Sequence, residues 1–549
     1  MSEISTSRVH PRSFAQIPLC RLAFEFAALS GWRRHGLAFL LGLSAVAALP
    51  PVDLTPLLVV AFTGLLWLDD GGRGPGASFG LGYTFGLGFF LGGLYWIAGA
   101  LFVDFDSFWW LVPVAAVGLP AAFALYTGLV FLVLNVATRY LRLQGAVRIF
   151  AFAILWTAAE WVRGHALTGL PWNLIGSTWA GGFPGAIAML QTVAWVGSYG
   201  LTFVTVLAAS LPALLGATFL APLAPMRRWA PVLIPVLSLA FLGVAGAVRL
   251  EQSPSTSTGV WLRIVQPAIP QTMKWDPNAA EANFRRLLNL SDAPAPHPVA
   301  AVIWPEAATP FLLERDDRRR HQVAAIAPRQ GYVITGALRA NPPPGAVAQV
   351  WNGMDAVDAE GDIVARYDKA HLVPFGEYVP LREALPFKKI TAGTMDFSAG
   401  SGPRTIALPG LPPFAPSICY EAIFPSEIVD EEARPAWMLN LTNDAWYGRS
   451  SGPFQHLASA RTRTVEEGLP MIRVANNGIS AVIDPVGRVR GWIDLDTIGY
   501  ADVMLPSPGN RTLYARAGDW TLLALLLVGA LPIAWRLRQG GRAGPSASF

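Results

Sequence analysis

The stretch Phe79–Val103 reads FGLGYTFGLGFFLGGLYWIAGALFV and contains no charged side chain. A helix needs about 20 mostly apolar residues to cross a bilayer, so this stretch alone predicts a membrane span. The whole chain agrees with it, because 53% of its 549 residues are hydrophobic and only 14% are charged. Ordinary soluble proteins are roughly 25% charged, and disordered chains are poor in hydrophobic residues. The composition therefore excludes both classes.

Further apolar stretches on both sides of this one predict a multi-pass α-helical membrane domain. The eight predicted spans are 35–50, 53–68, 79–103, 109–137, 148–163, 189–220, 229–249 and 519–536. Within the third span, Gly82 with Gly86 and Gly88 with Gly92 have the GxxxG spacing that lets two helices approach closely. We interpret these glycines as helix-packing positions and not as a ligand site.

The arginines between the spans predict the orientation of the chain in the membrane. They fall on one side if there are eight spans, at Arg8, Arg12, Arg21, Arg33, Arg34, Arg73, Arg139, Arg142, Arg148, Arg227, Arg228, Arg536, Arg538 and Arg542. The opposite loops, 50–53 and 104–106, carry neither Lys nor Arg. By the positive-inside rule both termini are expected in the cytoplasm. A net charge of +4 distributed in this way indicates orientation, and no nucleic-acid partner is expected.

The predicted organisation has five parts. They are a cytoplasmic segment 1–34, spans one to seven over 35–250, an extracytoplasmic domain 258–510, span eight at 519–536 and a cytoplasmic tail 537–549. In the extracytoplasmic part, strand-like runs are predicted at 261–266, 300–305, 332–338, 416–419, 437–441 and 472–475. Helical patterns lie at 281–290, 316–327 and 455–467, and hairpin turns at 358–362 and 484–487. Strands that alternate with helices predict an α/β domain.

Three short segments of this domain place a reactive group at the end of a strand-like run. Glu306, Lys369 and Cys419 follow one another along the chain. Each alone has a simpler interpretation, as a solvated carboxylate, an exposed lysine or a small buried hydrophobe. Together they supply the base, the cation and the nucleophile that covalent acyl chemistry needs. We expect Cys419 to open a helix through 421–430, whose N-terminus would lower the pKa of the thiol below about 8.5.

With the motifs around them, these residues resemble the nitrilase superfamily, and most closely its membrane-embedded branch, the apolipoprotein N-acyltransferases. The motifs that carry the resemblance are Gln266-Pro267 through Lys274-Trp275, Trp304-Pro305-Glu306, His371 through Pro380, Cys419-Tyr420-Glu421, Asn443 through Gly448, Pro453 through His456, Asn476-Asn477-Gly478, Glu160 through Gly164 and Thr168 through Trp172. The resemblance implies an αββα sandwich as the fold of the α/β domain.

The resemblance also implies a two-step acyl transfer. Glu306 would be the general base, Lys369 the oxyanion stabiliser and Cys419 the nucleophile, with Glu377 as a supporting carboxylate. The donor would be a membrane phospholipid, typically phosphatidylethanolamine, and the acceptor the α-amino group of the N-terminal diacylglyceryl cysteine of an apolipoprotein. The residues expected to bind the substrates are Tyr420, Glu421, Trp446 and Tyr447, although core packing is an equal alternative for the two aromatic residues 446 and 447.

The remaining expectations concern partners, location and alternatives. No cofactor and no metal are expected, and the protein is expected to be a monomer in the bacterial cytoplasmic (inner) membrane with its catalytic domain on the periplasmic side. Two alternatives stay open, a membrane-tethered nitrilase-type amidohydrolase and a transporter with a ligand-binding domain. At the outer end of span five, Glu160 and Arg163 form either an i,i+3 pair or, with His165, a headgroup contact.

Overall fold

A helical part and an α/β part follow each other along the chain. The structure, a computed structural model, describes residues 18–70, 73–216, 225–341, 349–381, 383, 389–390 and 395–540. The helices are α1 Pro18–Ala28, α2 Gly31–Val46, α3 Leu57–Asp69, α4 Pro75–Leu94, α5 Phe105–Phe108, α6 Leu119–Leu141, α7 Gly145–His165, α8 Ala186–Leu190, α9 Val193–Ser210, α10 Pro225–Glu251, α11 Gln271–Lys274, α12 Pro277–Ser291, α13 Asp317–Ala324, α14 Gly452–Glu467, α15 Leu513–Ala517 and α16 Trp520–Gly540.

Most of the predicted spans coincide with long apolar helical segments. In the described part of the chain six such segments occur, at Pro75–Leu111, Val114–Leu141, Gly145–His165, Val193–Gly216, Trp229–Glu251 and Trp520–Gln539. They correspond to predicted spans three to eight. The first two spans correspond to α2 and α3, which have only 16 and 13 residues. A span of typical length needs about 20 residues, so the number eight stays a prediction.

Glycines on α4 bring three helices close together. A Cβ atom on Gly88 would lie 2.2 Å from the carbonyl oxygen of Phe39 on α2, and one on Gly82 would lie 2.5 Å from the carbonyl oxygen of Thr127 on α6. Because only hydrogen fits in these gaps, the backbones of α2 and α6 touch α4 on two faces. The interpretation of the GxxxG pairs as packing positions is confirmed.

Arginines from separate helix ends and from one loop converge at one end of the helical part. Arg34 and Arg148 approach the carboxylate of Asp69 to 3.9 and 2.8 Å, and Arg73 donates to the carbonyl oxygen of Leu29. The starts of α2 and α7 and the loop before α4 therefore share one side of the bundle, as alternating spans require. Arg8, Arg12 and Arg542 lie outside the described residues, as do the side chains of Arg227 and Arg228.

The α/β part contains two sheets. The strands are β1 Ser257–Gln266, β2 Val299–Ile303, β3 Tyr332–Asn341, β4 Gln349–Val357, β5 Ile363–Asp368, β6 Phe414–Ile418, β7 Trp437–Thr442, β8 Met471–Ala475, β9 Ser480–Ile483, β10 Val489–Ile493 and β11 Gly499–Pro506. One sheet has the order β11-β1-β2-β3-β4-β5 and the other the order β10-β9-β8-β7-β6. The predicted strands and both hairpin turns are confirmed, since β4 pairs antiparallel with β5 and β9 with β10.

Helices cover the outer faces of the two sheets, which pack against each other. The core between the sheets includes Ile303 and Ile334 from the first and Trp437 and Ile472 from the second. On the outside of the first sheet, α12 contributes Phe284 to a separate apolar cluster. Outside the second sheet, α14 contributes Ala460 to another. The layers are helix, sheet, sheet and helix, so the α/β nitrilase-like sandwich is confirmed.

Candidate active site

The ends of three strands bring the predicted reactive groups together. Glu306 follows β2, Lys369 follows β5 and Cys419 follows β6. Lys369 Nζ lies 3.8 Å from Glu306 Oε1 and 3.0 Å from the Glu377 carboxylate. Both Glu306 and Lys369 act electrostatically on the Cys419 thiol. All four side chains are buried, and they form one group inside the protein.

Asn352, on β4, joins the two carboxylates. Its Nδ2 donates to Glu306 Oε1 at 2.7 Å and to Glu377 Oε1 at 2.9 Å. Its main-chain oxygen accepts from the main-chain amide of Lys369. Glu377 also accepts from the amide of Val373 at 2.8 Å. Glu306 Oε2, by contrast, is buried without a hydrogen-bond partner among the described residues. The second oxygen of Glu306 is therefore open to accept a proton.

Burial and the neighbouring charges have opposite effects on the pKa values of Glu306 and Lys369. Burial raises the pKa of Glu306 above its ordinary value in spite of the nearby ammonium of Lys369. Burial alone would lower the pKa of Lys369, but Glu377 and Glu306 outweigh burial and raise it. Lys369 is therefore a permanent cation, while Glu306 is a carboxylate that takes up a proton more readily than an exposed glutamate does.

Cys419 differs from the expectation in two respects. It opens a short 3₁₀ turn, Cys419–Ile423, and no helix continues through 421–430, so the predicted helix is wrong. Burial, with the Glu306 charge beside it, raises the pKa of the thiol to about 12. The expected lowering by a helix N-terminus is wrong, because so short a turn offers too small a dipole to offset desolvation. The resting nucleophile is a thiol.

A buried ion network supports the strained backbone of Cys419. Its φ of 50° lies in the left-handed region, which L-residues rarely adopt. The Cys419 carbonyl oxygen lies 3.0 Å from His456 Nε2, whose Nδ1 lies 2.8 Å from Asp444. Arg473 donates to the other oxygen of Asp444 at 2.8 Å. Burial raises the pKa of Asp444, but Arg473 and His456 outweigh it and hold the value at about 2.

The same network accounts for a cluster of potential metal ligands. Ligand atoms of Cys419, Asp444 and His456 lie within 4.8 Å of one another. Both nitrogens of His456 already have protein partners, and so do both oxygens of Asp444, which Thr442 and Arg473 also contact. The donor set is therefore committed to hydrogen bonds that hold the nucleophile.

Tyr420 and Glu421, in the turn that Cys419 opens, connect this turn to two other parts of the protein. The hydroxyl of Tyr420 donates to the carbonyl oxygen of Gly169, in the helical part of the chain. Glu421 accepts hydrogen bonds from the Tyr367 hydroxyl and from the amides of residues 370, 371 and 418, at 2.6 to 3.1 Å. Glu421 thus ties the end of β6 to the segment that carries Lys369.

A large cavity connects this group to the membrane helices. It has a volume of about 1340 Å³. One part of its wall is polar and contains Lys274, Glu306, Lys369, Glu377, Asn352 and Cys419, and the rest is mainly apolar and includes Trp96, Leu101, Trp110, Leu119, Phe123, Leu129, Tyr420, Trp446 and Tyr447. Tyr447 also packs edge-on against Trp96 and Trp172. Tyr447 therefore combines the two roles considered for it, packing and lining.

The charged residues at the end of span five are part of the protein framework. Glu160 accepts hydrogen bonds from Trp156, the amide of Ile175 and Thr202. Arg163 donates to the carbonyl oxygens of Leu170 and Trp172, at 2.9 and 2.6 Å. Both side chains are buried. Among the described residues the two side chains form no ion pair within 4 Å, so the expected i,i+3 pair is wrong. Each is bound to other groups of the protein instead, and Arg163 in addition lines the cavity.

Sequence reasoning did not identify several supporting residues. Asn352 and Arg473 lie inside strands, where no motif marks them, and only strand pairing brings them to the site. Asp444, His456 and Lys274 lie within the motifs that carry the resemblance, and those motifs are the signal that could have found them. His371, the first residue of another of these motifs, contacts Glu427 at 3.0 Å and the carbonyl oxygen of Thr168 at 2.7 Å.

Comparison with known proteins extends over nearly the whole chain. Residues 41–211 match the family model "Apolipoprotein N-acyltransferase N-terminal domain", and residues 262–508 match "Carbon-nitrogen hydrolase". The apolipoprotein N-acyltransferase of Rhodopseudomonas palustris is 40% identical over 542 residues, 95% of this chain and 99% of that one. The enzyme of the same name from Bradyrhizobium diazoefficiens is 40% identical and covers 95% and 98%.

The comparison with solved structures also gave matches, at lower identity. The Nesterenkonia AN1 amidase from the nitrilase superfamily is 17% identical, with a TM-score of 0.33, and covers 50% of this chain and 98% of its own. The two family models and the curated relatives together decide the assignment. The chain belongs to the apolipoprotein N-acyltransferase family, whose members are acyltransferases with a carbon-nitrogen hydrolase catalytic domain.

Proposed function

We propose that this chain transfers a fatty acyl chain from a membrane phospholipid to the N-terminal amine of an apolipoprotein, through a thioester on Cys419. The observation that carries the proposal is the cavity, whose apolar wall comes mainly from the apolar helical segments and whose polar end holds Glu306, Lys369 and Cys419. An acyl chain needs the apolar wall, and the carbonyl carbon to be attacked needs the polar end. The cavity therefore has both features that a phospholipid acyl donor for lipoprotein N-acylation needs.

In the first step the acyl group moves to sulfur. Glu306 takes the proton from Cys419 Sγ, and the sulfur attacks the ester carbonyl carbon of the phospholipid. Lys369 stabilises the negative charge that develops on the carbonyl oxygen. The C–S bond forms, the C–O bond to the glycerol breaks, and Glu306 returns the proton to the departing lysophospholipid oxygen.

In the second step the acyl group moves to nitrogen. The α-amino group of the diacylglyceryl cysteine attacks the thioester carbon while Lys369 again stabilises the oxyanion. Glu306 takes a proton from the attacking nitrogen, the C–N bond forms and the C–S bond breaks. The proton then returns to the Cys419 sulfur, which restores the resting thiol. No water enters either step, and an apolar cavity helps to exclude it.

The neighbouring residues have supporting roles in this proposal. Glu377 orients Lys369 through their 3.0 Å contact. Glu421 positions the nucleophile turn, because its oxygens are bonded to protein groups on both sides of the site. Tyr420, Trp446 and Tyr447 line the cavity where the lipid chains would lie. We further propose phosphatidylethanolamine as the donor and a monomer in the bacterial inner membrane, with the catalytic domain on the periplasmic side.

The decisive experiment looks for the acyl-enzyme. Purified protein is mixed with phosphatidylethanolamine alone, and we expect the intact mass to increase by one acyl chain that neutral hydroxylamine removes. A diacylglyceryl peptide with a free α-amine should then discharge it as the amide. Cys419→Ala, Glu306→Gln and Lys369→Met should each lose more than 100-fold in transfer, whereas Cys20→Ala should keep it.

Two results would overturn the proposal. Release of free fatty acid without any peptide amide would assign a hydrolase instead. Transfer by Cys419→Ala at the wild-type rate would show that the thioester is not an intermediate.

A further inference from the structure

Lys274 is a second buried ammonium beside the catalytic group. It ends the short helix α11 and is only 5% exposed. Its Nζ donates to the main-chain oxygen of Glu306 at 2.9 Å, and its side chain lines the cavity together with Cys419. A lysine is almost never fully buried unless a partner compensates its charge. Its position therefore requires a compensating anion.

A carboxylate of the catalytic group is that anion. Two buried carboxylates, Glu306 and Glu377, both lie within 4 Å of Lys369 and share its single positive charge. Lys369 lies closer to Glu377, at 3.0 Å, than to Glu306, at 3.8 Å. Glu306 is therefore the less compensated carboxylate, and one negative charge is left over when both are ionised.

The backbone that carries Glu306 also needs an anchor. Ala307, the next residue, has a φ of 44°, in the left-handed region. The turn is pressed against β3, where a Cβ on Gly336 would lie 2.5 Å from the Glu306 Cα. The hydrogen bond from Lys274 fixes the main-chain carbonyl of Glu306 in this strained turn.

We propose that Lys274 is a positioning residue of the acyl-transfer site, which anchors the Glu306 backbone and supplies the second positive charge that keeps the Glu306 carboxylate ionised. The proposal rests on the proposed function, in which Glu306 is the general base. Lys274 touches neither the scissile bond nor Lys369 in this scheme, so it acts through Glu306.

The pH dependence of acylation follows from the groups around Glu306. Lys369 and Lys274 favour its charged form, as does the hydrogen bond from Asn352, while burial, Glu377 and a Cys419 thiolate oppose it. Removing the Lys274 charge raises the pKa of Glu306. A larger share of the base is then protonated at a given pH, and the acidic limb of the acylation rate moves to higher pH.

The test measures the single-turnover rate of Cys419 acylation by phosphatidylethanolamine as a function of pH, by intact mass. Lys274→Met removes the charge and the donor, Lys274→Gln keeps a donor without charge, and Lys274→Arg keeps both. Arg286→Met is the matched control, because Arg286 also donates to a main-chain oxygen, that of Pro267, but is not part of the cavity wall.

We expect the acidic midpoint to rise by about one pH unit in Lys274→Met and Lys274→Gln, so that the rate falls by up to about tenfold at pH values below both midpoints. Lys274→Arg should restore the midpoint, and Arg286→Met should leave it unchanged. If Lys274→Met does not fold, the comparison of Gln with Arg decides the question.

If the wild-type protein forms the acyl-enzyme but the midpoint in Lys274→Gln is unshifted, the proposed role of Lys274 is wrong and the proposed function is unaffected. Failure of the wild-type protein to form any thioester would instead overturn the proposed function. The two failures are therefore distinguishable.

Discussion

At the scale of single residues, the reactivity of Cys419 depends on its neighbours more than on the thiol itself. With its pKa raised to about 12 by burial, the thiol is protonated throughout the physiological range. The sulfur becomes a nucleophile only as its proton moves to Glu306, whose Oε2 has no other partner among the described residues. A buried thiol of this kind is protected from unwanted oxidation, since the thiolate is the reactive form.

This dependence predicts the alkylation behaviour of Cys419. The pKa of Glu306 is raised by burial, so its basic form is present above that raised value and is lost as pH falls through it. We expect the rate of modification by iodoacetamide to fall along an acidic limb whose midpoint lies above the ordinary glutamate value. At pH 7, Glu306→Gln should react at least tenfold more slowly, as judged by peptide mass spectrometry.

The Cys20→Ala background provides the control for this measurement, because Cys419 is then the sole cysteine in the chain. Equal rates for Glu306→Gln and the parent would show that Glu306 does not activate the thiol.

At the scale of elements, α4 is held by close backbone contact on two faces. Its glycines meet the backbones of α2 and α6, and this packing replaces the hydrophobic effect, which is weak between helices in lipid. The 3₁₀ segment Tyr95–Asp104 continues from α4 and supplies Trp96 and Leu101 to the cavity wall. The position of α4 thus sets one side of the candidate lipid site.

Gly88→Ala should therefore destabilise the protein. The added Cβ would lie 2.2 Å from the Phe39 carbonyl oxygen, so α2 and α4 must separate. We expect a loss of about 1–3 kcal/mol, typical of overpacking, seen as a lower Tm in detergent. Gly76→Ala on the same helix is the control, because its new Cβ has no atom within 4 Å in the part of the chain that the structure describes, apart from its chain neighbours and the backbone of its own helix. A Tm for Gly88→Ala equal to that of the control would contradict the packing described for α4.

At the scale of the whole molecule, loops of the helical part are bonded directly to the catalytic site. The Tyr420 hydroxyl donates to Gly169, His371 contacts Thr168, and Trp172 donates to Gln455 at 2.8 Å. Further along, Glu466 of α14 accepts from the amide and hydroxyl of Ser198, beside the kink at Gly197 in α9. Through these hydrogen bonds the α/β part packs against one end of the helical bundle.

The arginine distribution predicts which side of the membrane that end faces. Alkaline phosphatase matures only outside the cytoplasm, so a fusion after Pro508, behind the last strand, should be active. A fusion after Leu143, beside Arg139 and Arg142, should be inactive. The reverse pattern, measured with equal expression of both fusions, would place the catalytic domain in the cytoplasm and overturn the orientation.

The sequence by itself determined the class of each half of the chain. Uncharged stretches such as Phe79–Val103 predict membrane-spanning helices, and the strand-like runs with their turn residues predict an α/β domain. The reactive trio was also visible, since Glu306, Lys369 and Cys419 each follow a strand-like run. Their catalytic roles, like the eight-span count, stay predictions.

Only the tertiary structure decided how the site is supported and how its charges balance. Asn352, Arg473 and Lys274 reach the site from separate elements, and local sequence does not encode such distant pairings. The pKa of Cys419 was expected to be low and is high, because desolvation depends on burial by the whole fold and exceeds the small dipole of a short turn. The hydrophobic periodicity of the sequence predicts helices and strands, whereas the pKa values of the site residues depend on burial and on contacts between distant parts of the chain.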